Sequence, residues 1–156
     1  MYKAYFIDLD GTMYKGKERI PTAEVFIKRL QEANIPFLFV TNNATKTPEQ
    51  VAQNLRENYG TNVEAAEVYT SGVAAVDYIK SHYPVERIMV IGEEAIKNQV
   101  KAAGFTLDSE NPELVLQSLD RNVTYKDLEK ATLAIRGGAT YIVTNIDSNL
   151  PSEEGP

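Results

Sequence analysis

The sequence predicts an α/β fold with mostly parallel strands. Short apolar runs alternate with amphipathic helical segments along the 156 residues, a pattern typical of strand–helix–strand units. Polar side chains follow the first two apolar runs at once, as Asp8 and Asp10 after the first and Thr41 after the second. The chain is 43% hydrophobic and 24% charged, which is typical of a globular protein with an apolar core.

The first half of the chain predicts three strands and three helices. The strands are short apolar runs over 4–9, 36–40 and 67–70. The helices carry apolar side chains at helical spacing, over 22–33, 48–59 and 73–81. Thr22 and Thr47 are the predicted N-caps of the first two helices, and Gly60 ends the second. The polar segment 11–21 predicts a loop.

The second half repeats the pattern. Apolar runs predict strands over 87–91, 114–116 and 140–143. Helices are predicted over 94–103 and 125–135, the latter capped by Thr124. Gly104 and Gly137-Gly138 follow these helices and terminate them. The segment His82-Tyr83-Pro84 is the predicted handover from one α/β unit to another.

Composition excludes several classes of function. The net charge is −6 with no long basic run, which argues against nucleic-acid or anionic-membrane binding. Without cysteine there is neither a disulfide framework nor a thiolate zinc site. Only one histidine, His82, is present, which argues against a Ser-His-Asp triad. The glycine motifs of a P-loop or a dinucleotide-binding site do not occur, so no nucleotide site is indicated. Neither a membrane span nor a signal peptide is recognisable, so the predicted location is the cytoplasm.

Asp8 and Asp10 are the first candidates for chemistry. Residues two apart on a strand face the same side, at the carboxyl end where ligands bind in open α/β sheets. Two such carboxylates repel unless they share a proton or a cation lies between them, and Mg²⁺ is the economical cation. The alternative is plain turn chemistry, because Asp and Gly11 are both favoured in turns.

Thr41-Asn42-Asn43 is the second candidate motif. It ends the second strand, beside the end of the first, where a hydroxyl and two amides could donate to phosphate oxygens. Taken alone, these residues are better explained as caps of the loop and of the next helix. The two motifs together, one strand–helix unit apart, are more specific than either.

These motifs resemble the haloacid-dehalogenase-like (HAD) superfamily of phosphohydrolases, in its NagD/4-nitrophenylphosphatase-like branch. The matching motifs in the first half are Asp8-Leu9-Asp10-Gly11-Thr12 and Thr41-Asn42-Asn43. Those in the second half are Val90-Ile91-Gly92-Glu93, Gly104-Phe105, Leu119-Asp120, Leu133-Ala134-Ile135 and Thr144-Asn145 with Asp147. The resemblance spans almost the whole chain.

The resemblance implies a role for each candidate residue. Asp8 would be the nucleophile that forms an aspartyl-phosphate, and the Asp10 side chain would be the general acid and base. The Asp8 carboxylate and the backbone carbonyl of Asp10 would bind Mg²⁺. Thr41 and Asn42 would hold the phosphoryl group. Asn145 and Asp147 would lie at the substrate-facing end of a cap.

The resemblance also implies a domain arrangement. Residues 1–73 would form the N-terminal half of a Rossmann-like HAD core, 74–148 an inserted α/β cap, and 149–156 a linker back towards the core. Members of the branch continue for roughly another hundred residues. Those residues carry a lysine and further acidic metal ligands that have no counterpart here.

Further expectations follow from the resemblance. The chain is expected to be a fragment with weak Mg²⁺ binding and weak or no turnover. Its first strand is expected to lie at a sheet edge, which invites a homodimer or a domain swap.

Two kinds of function remain open. The first is Mg²⁺-dependent hydrolysis of a small phosphorylated metabolite, and the second is a non-catalytic module that binds phosphate esters. A phosphoacceptor domain of the response-regulator type fits less well, because Thr41-Asn42-Asn43 offers no acceptor aspartate.

Overall fold

The computed structural model describes residues 2–147 and has the predicted α/β architecture. The tail at 149–156, predicted as a linker, lies outside the described residues. Within the described part the chain divides into two compact units. The first holds residues 2–41, 48–69 and Asp147, and the second holds Asn42–Thr47 and Thr70–Ile146.

The strands of the first unit are β1 (Tyr5–Ile7), β2 (Tyr14–Lys15), β3 (Glu18–Arg19), β4 (Phe37–Thr41) and β5 (Val68–Thr70), the last of which reaches the unit boundary. Three of them form a sheet with the strand order β1-β4-β5. Its helices are α1 (Pro21–Glu32) and α2 (Pro48–Tyr59), with a 3₁₀ turn at Ala65–Glu67. β1 and β4 are parallel, with Ile7 opposite Phe39. Among the described strands, β1 lies at one edge of this sheet.

Two expectations for segment 11–21 and its surroundings were wrong. The predicted loop contains the antiparallel pair β2–β3, because Gly16 adopts a φ of +60° that allows a tight turn between the two short strands. Helix α1 begins at Pro21 with Ile20 as its N-cap, not Thr22. The fixed φ of proline suits the first helical position.

The core of the first unit lies on one face of its sheet. The fully buried side chains there include Phe39, Leu9, Met13, Ile27 and Leu55. The opposite face is less covered, since Phe6 on β1 is 79% exposed. Adjacent positions on a strand point to opposite faces. Phe6 therefore lies on the open face of the sheet and Ile7 on the buried face.

The second unit is a four-stranded parallel sheet in the order β7-β6-β8-β9. Its strands are β6 (Arg87–Ile91), β7 (Thr106–Leu107), β8 (Leu114–Gln117) and β9 (Thr140–Val143). Its helices are α3 (Ser71–His82), α4 (Glu94–Ala102) and α5 (Tyr125–Arg136). α3 and α4 pack on one face of the sheet and α5 on the other. The short strand β7 was not expected from the sequence.

The predicted cap of α5 is confirmed. The Thr124 hydroxyl accepts a hydrogen bond from the Asp127 N–H at 3.3 Å, and the Asp127 carboxylate accepts from the Thr124 N–H at 3.0 Å. This reciprocal arrangement satisfies N–H groups that a helix start leaves without partners. Hydrogen bonds from Thr124 hold the pKa of Asp127 below its usual range.

No helix in residues 2–147 is both long and apolar enough to cross a membrane.

Candidate active site

Asp8 and Asp10 follow directly after β1. Both aspartates are exposed, whereas Leu9 between them is only 1% exposed. Both carboxylates are therefore accessible at the carboxyl end of the strand, while Leu9 anchors the segment in the core.

A tight turn fixes the position of Asp10. The N–H groups of Thr12 and Met13 donate to the Leu9 carbonyl at 3.2 and 2.9 Å, and the Gly11 N–H donates to the Tyr14 carbonyl at 2.7 Å. Gly11 has a φ of +81°, which favours glycine. Met13 is completely buried below the turn, so the turn is anchored in the core of the first unit.

Two tyrosines adjoin this turn. The rings of Tyr14 and Tyr59 stack with their centroids 4.8 Å apart, which ties the turn to the last residue of α2. Burial, followed by the charge of Asp10, raises the pKa of the Tyr14 hydroxyl well above its usual range. Burial and the charge of Asp10 also raise the pKa of Tyr59. Both phenols are therefore neutral near neutral pH and add no charge beside the aspartates.

Thr41 is the last residue of β4 and is 4% exposed. Because β4 runs parallel to β1, Thr41 lies at the same end of the strands as Asp8. The first unit thus holds three of the predicted site residues at the carboxyl ends of its parallel strands, namely Asp8, Asp10 and Thr41.

Asn42 and Asn145 are brought together in the second unit. The Asn145 amide donates to the Asn42 carbonyl at 3.3 Å, and the Ser71 hydroxyl donates to the same oxygen at 2.6 Å. Asp147, the last described residue, is exposed and groups with the first unit. Ser71 was missed because it lies between the predicted strand 67–70 and the predicted helix 73–81, and no local motif marks it.

The loop after Asn42 has a hydrogen-bonded conformation of its own. The Asn43 side-chain carbonyl accepts from the backbone N–H of Thr45 at 2.9 Å and from its hydroxyl at 2.7 Å. Side chains of Asn commonly order turns in this way. The polar residues that follow β4 are therefore held by side-chain contacts as well as by the backbone.

The donor set at the turn suits a hard cation. Within residues 2–147 no group of three or more His, Cys, Asp or Glu side chains is placed to hold a metal ion. Asp8 nevertheless offers carboxylate oxygens and Asp10 a backbone carbonyl oxygen, and Mg²⁺ is commonly bound through one or two carboxylates while it keeps several waters. The described residues thus fit Mg²⁺ with few protein ligands.

Comparison with known proteins identifies the family of this chain. A family described as haloacid dehalogenase-like hydrolase matches residues 5–106. The acid sugar phosphatase of Staphylococcus epidermidis is 46% identical over 155 residues, which are 99% of this chain and 60% of that protein. The chain therefore spans about 60% of the length of such relatives.

Solved structures give the same result. A thermostable NPPase double mutant from Geobacillus stearothermophilus is 44% identical with a TM-score of 0.92, over 99% of this chain and 60% of that one. The 4-nitrophenylphosphatase from Thermotoga maritima is 34% identical with a TM-score of 0.92, over 99% and 59% respectively. The family assigned from the sequence motifs is confirmed: the chain belongs to the haloacid dehalogenase-like hydrolases.

Proposed function

We propose that this chain provides the nucleophile and the general acid–base group of a Mg²⁺-dependent phosphatase that acts on a small phosphorylated metabolite. The observation that carries the proposal is the pair of exposed aspartates at the carboxyl end of β1, next to the carboxyl end of β4 where Thr41 lies. Relatives named acid sugar phosphatase and 4-nitrophenylphosphatase support a phosphate ester as the substrate.

The proposed reaction has two steps. In the first, a carboxylate oxygen of Asp8 attacks phosphorus, the bond from phosphorus to the ester oxygen breaks, and Asp10 protonates the leaving alkoxide. In the second, Asp10 takes a proton from water, which attacks the phosphorus of the aspartyl-phosphate as the bond from phosphorus to the Asp8 oxygen breaks. Inorganic phosphate leaves, and both aspartates return to their starting states.

Three further roles complete the proposal. The Asp8 carboxylate and the backbone carbonyl of Asp10 would hold Mg²⁺, which when bound would neutralise part of the phosphate charge. The Thr41 hydroxyl and Asn42 would hold the phosphoryl group, which favours the reaction chiefly through positioning. Asn145 and Asp147 would lie at the substrate-facing end of the cap.

We further propose that turnover by the 156-residue chain is low. Among the residues that the structure describes, no group of three or more His, Cys, Asp or Glu side chains is placed to hold a metal ion, so Mg²⁺ would have few protein ligands. If turnover is absent and phosphate esters still bind, the alternative of a non-catalytic binding module is favoured.

Metal removal tests the proposal directly. We expect that EDTA abolishes phosphate release from 4-nitrophenyl phosphate and that added Mg²⁺ restores it. Asp10→Asn should lower kcat by about 10²- to 10⁴-fold, the usual contribution of a general acid or base. Glu32→Gln is the matched control, because it removes an exposed carboxylate from α1 of the same unit. Rates that change neither with EDTA nor in Asp10→Asn would contradict the proposal.

A further inference from the structure

We propose that Ser71 and Asn145 are positioning residues for the phosphoryl-binding segment and that they act through the backbone carbonyl of Asn42. This inference rests on the proposed function, in which Thr41 and Asn42 hold the phosphoryl group. Neither side chain needs to touch the ligand. All three residues belong to the second unit of the fold.

The Asn42 carbonyl is held by two side chains from distant parts of the sequence. Ser71 is 29 residues away and Asn145 is 103 residues away. The hydroxyl of Ser71 donates at 2.6 Å and the amide of Asn145 at 3.3 Å. A carbonyl oxygen has two lone pairs, so these two donors can occupy both.

Fixing this carbonyl fixes the backbone that follows Thr41. A trans peptide is planar, so the direction of the Asn42 carbonyl also sets the direction of the Asn43 N–H on the opposite side of the peptide. Asn43 is in turn bonded to Thr45 through its side chain. The donors on Asn42 therefore restrain a segment that is covalently continuous with Thr41.

Packing holds Ser71 at this position. A Cβ atom added to Gly72 would lie 2.8 Å from the Gln99 side-chain oxygen and 3.5 Å from the Ala44 Cβ. The start of α3 therefore lies close against the loop that contains Ala44, and only glycine fits there without a shift. Donors held by packed neighbours position a site more sharply than donors on free side chains.

A purely helical role does not account for the Ser71 hydroxyl. The side chain of Thr70 already caps α3, since its hydroxyl accepts from the Val73 N–H at 3.2 Å. The Ser71 hydroxyl donates instead to a carbonyl outside the helix. Its contribution is therefore directed at Asn42.

The inference is tested by the affinity of the 156-residue chain for inorganic phosphate in the presence of Mg²⁺, followed by NMR. Ser71→Ala and Asn145→Ala should each raise the dissociation constant about 3- to 10-fold, the range set by one lost hydrogen bond. Ser71→Thr keeps the hydroxyl and should restore binding. Ser81→Ala is the matched control, because the Ser81 hydroxyl donates to the Asp77 carbonyl within the same helix at 2.8 Å.

The double variant provides the second readout. Because Ser71 and Asn145 share one acceptor, their effects on phosphate affinity should be coupled and not additive. Hydrogen exchange at the amides of Asn43 and Thr45 should also rise in each single variant without any ligand.

Different results overturn different claims. If the wild-type chain binds no phosphate, the proposed function fails and the positioning role falls with it. If the wild type binds phosphate and Ser71→Ala binds it as tightly as Ser81→Ala does, only the positioning role is overturned. An Asn145→Ala variant with unchanged affinity for phosphate would also overturn it, because inorganic phosphate lacks the leaving group that a substrate contact would need.

Discussion

Asp8→Asn is expected to lower Mg²⁺-dependent phosphate release from 4-nitrophenyl phosphate at least about 10³-fold, since loss of a nucleophile removes most of an enzyme's catalysis. The amide keeps the size of the side chain but cannot attack phosphorus. Asp8 is exposed and lies outside the buried core, so the fold should survive the change. The measurement is the initial rate at saturating substrate, with circular dichroism to verify the fold.

Glu32→Gln is the control for this experiment as well. It removes one negative charge from the first unit, where Glu32 lies on the exposed side of α1, 3.9 Å from Lys28. We expect it to keep the wild-type rate. Equal rates in Asp8→Asn and the wild type would exclude Asp8 as the nucleophile.

Phe39→Ala is expected to lower the free energy of unfolding by about 3–5 kcal/mol, the usual cost of removing a buried phenylalanine. Phe39 is completely buried in β4 and forms part of the core of the first unit. Its ring also contacts Phe37 edge to face, with the centroids 5.5 Å apart. Urea denaturation measures the change.

Phe6→Ala is the matched control, because the same side chain is deleted from the open face of the neighbouring strand. Phe6 is 79% exposed, so the change should cost less than about 0.5 kcal/mol. A loss of unfolding free energy similar to that of Phe39→Ala would contradict the exposure of Phe6 on the open face. Together with a concentration dependence of unfolding, it would favour the homodimer or domain swap predicted from the edge position of β1.

Much of the fold follows from local sequence pattern. The strands at Arg87–Ile91 and Thr140–Val143 begin and end where the apolar runs do. Helix α2 starts at Pro48 and is followed by Gly60 with a φ of +61°. These elements are predictable because burial periodicity, proline and glycine act within a few residues of each other.

The differences arise where the stabilising contact is distant or the element is short. β2, β3 and β7 have two residues each, too few for any apolar period. At the start of α1, the backbone geometry of Pro21 prevailed over a threonine that is otherwise a good N-cap.

The candidate site also contains residues that the local sequence predicts and a contact that it does not. The Asp8-x-Asp10 pair and Thr41 could be predicted because each follows an apolar run. The parallel pairing of β1 with β4 then places them at the same end of the strands. The donation from Ser71 to Asn42 spans 29 residues and is set by the packing of Gly72 and Ala44. Nothing in the local sequence of Ser71 indicates it.

The central claim is that Asp8 carries the phosphoryl group during turnover. It is tested most directly by acid quenching of the Asp10→Asn variant in reaction with 4-nitrophenyl phosphate, followed by peptide mass spectrometry. Nitrophenolate can leave without a proton, whereas the second step lacks its base, so the aspartyl-phosphate should accumulate. We predict one phosphoryl group on the peptide that contains Asp8, removable by hydroxylamine. Phosphate release without any such label, or a label that persists in the Asp8→Asn protein, would contradict the account.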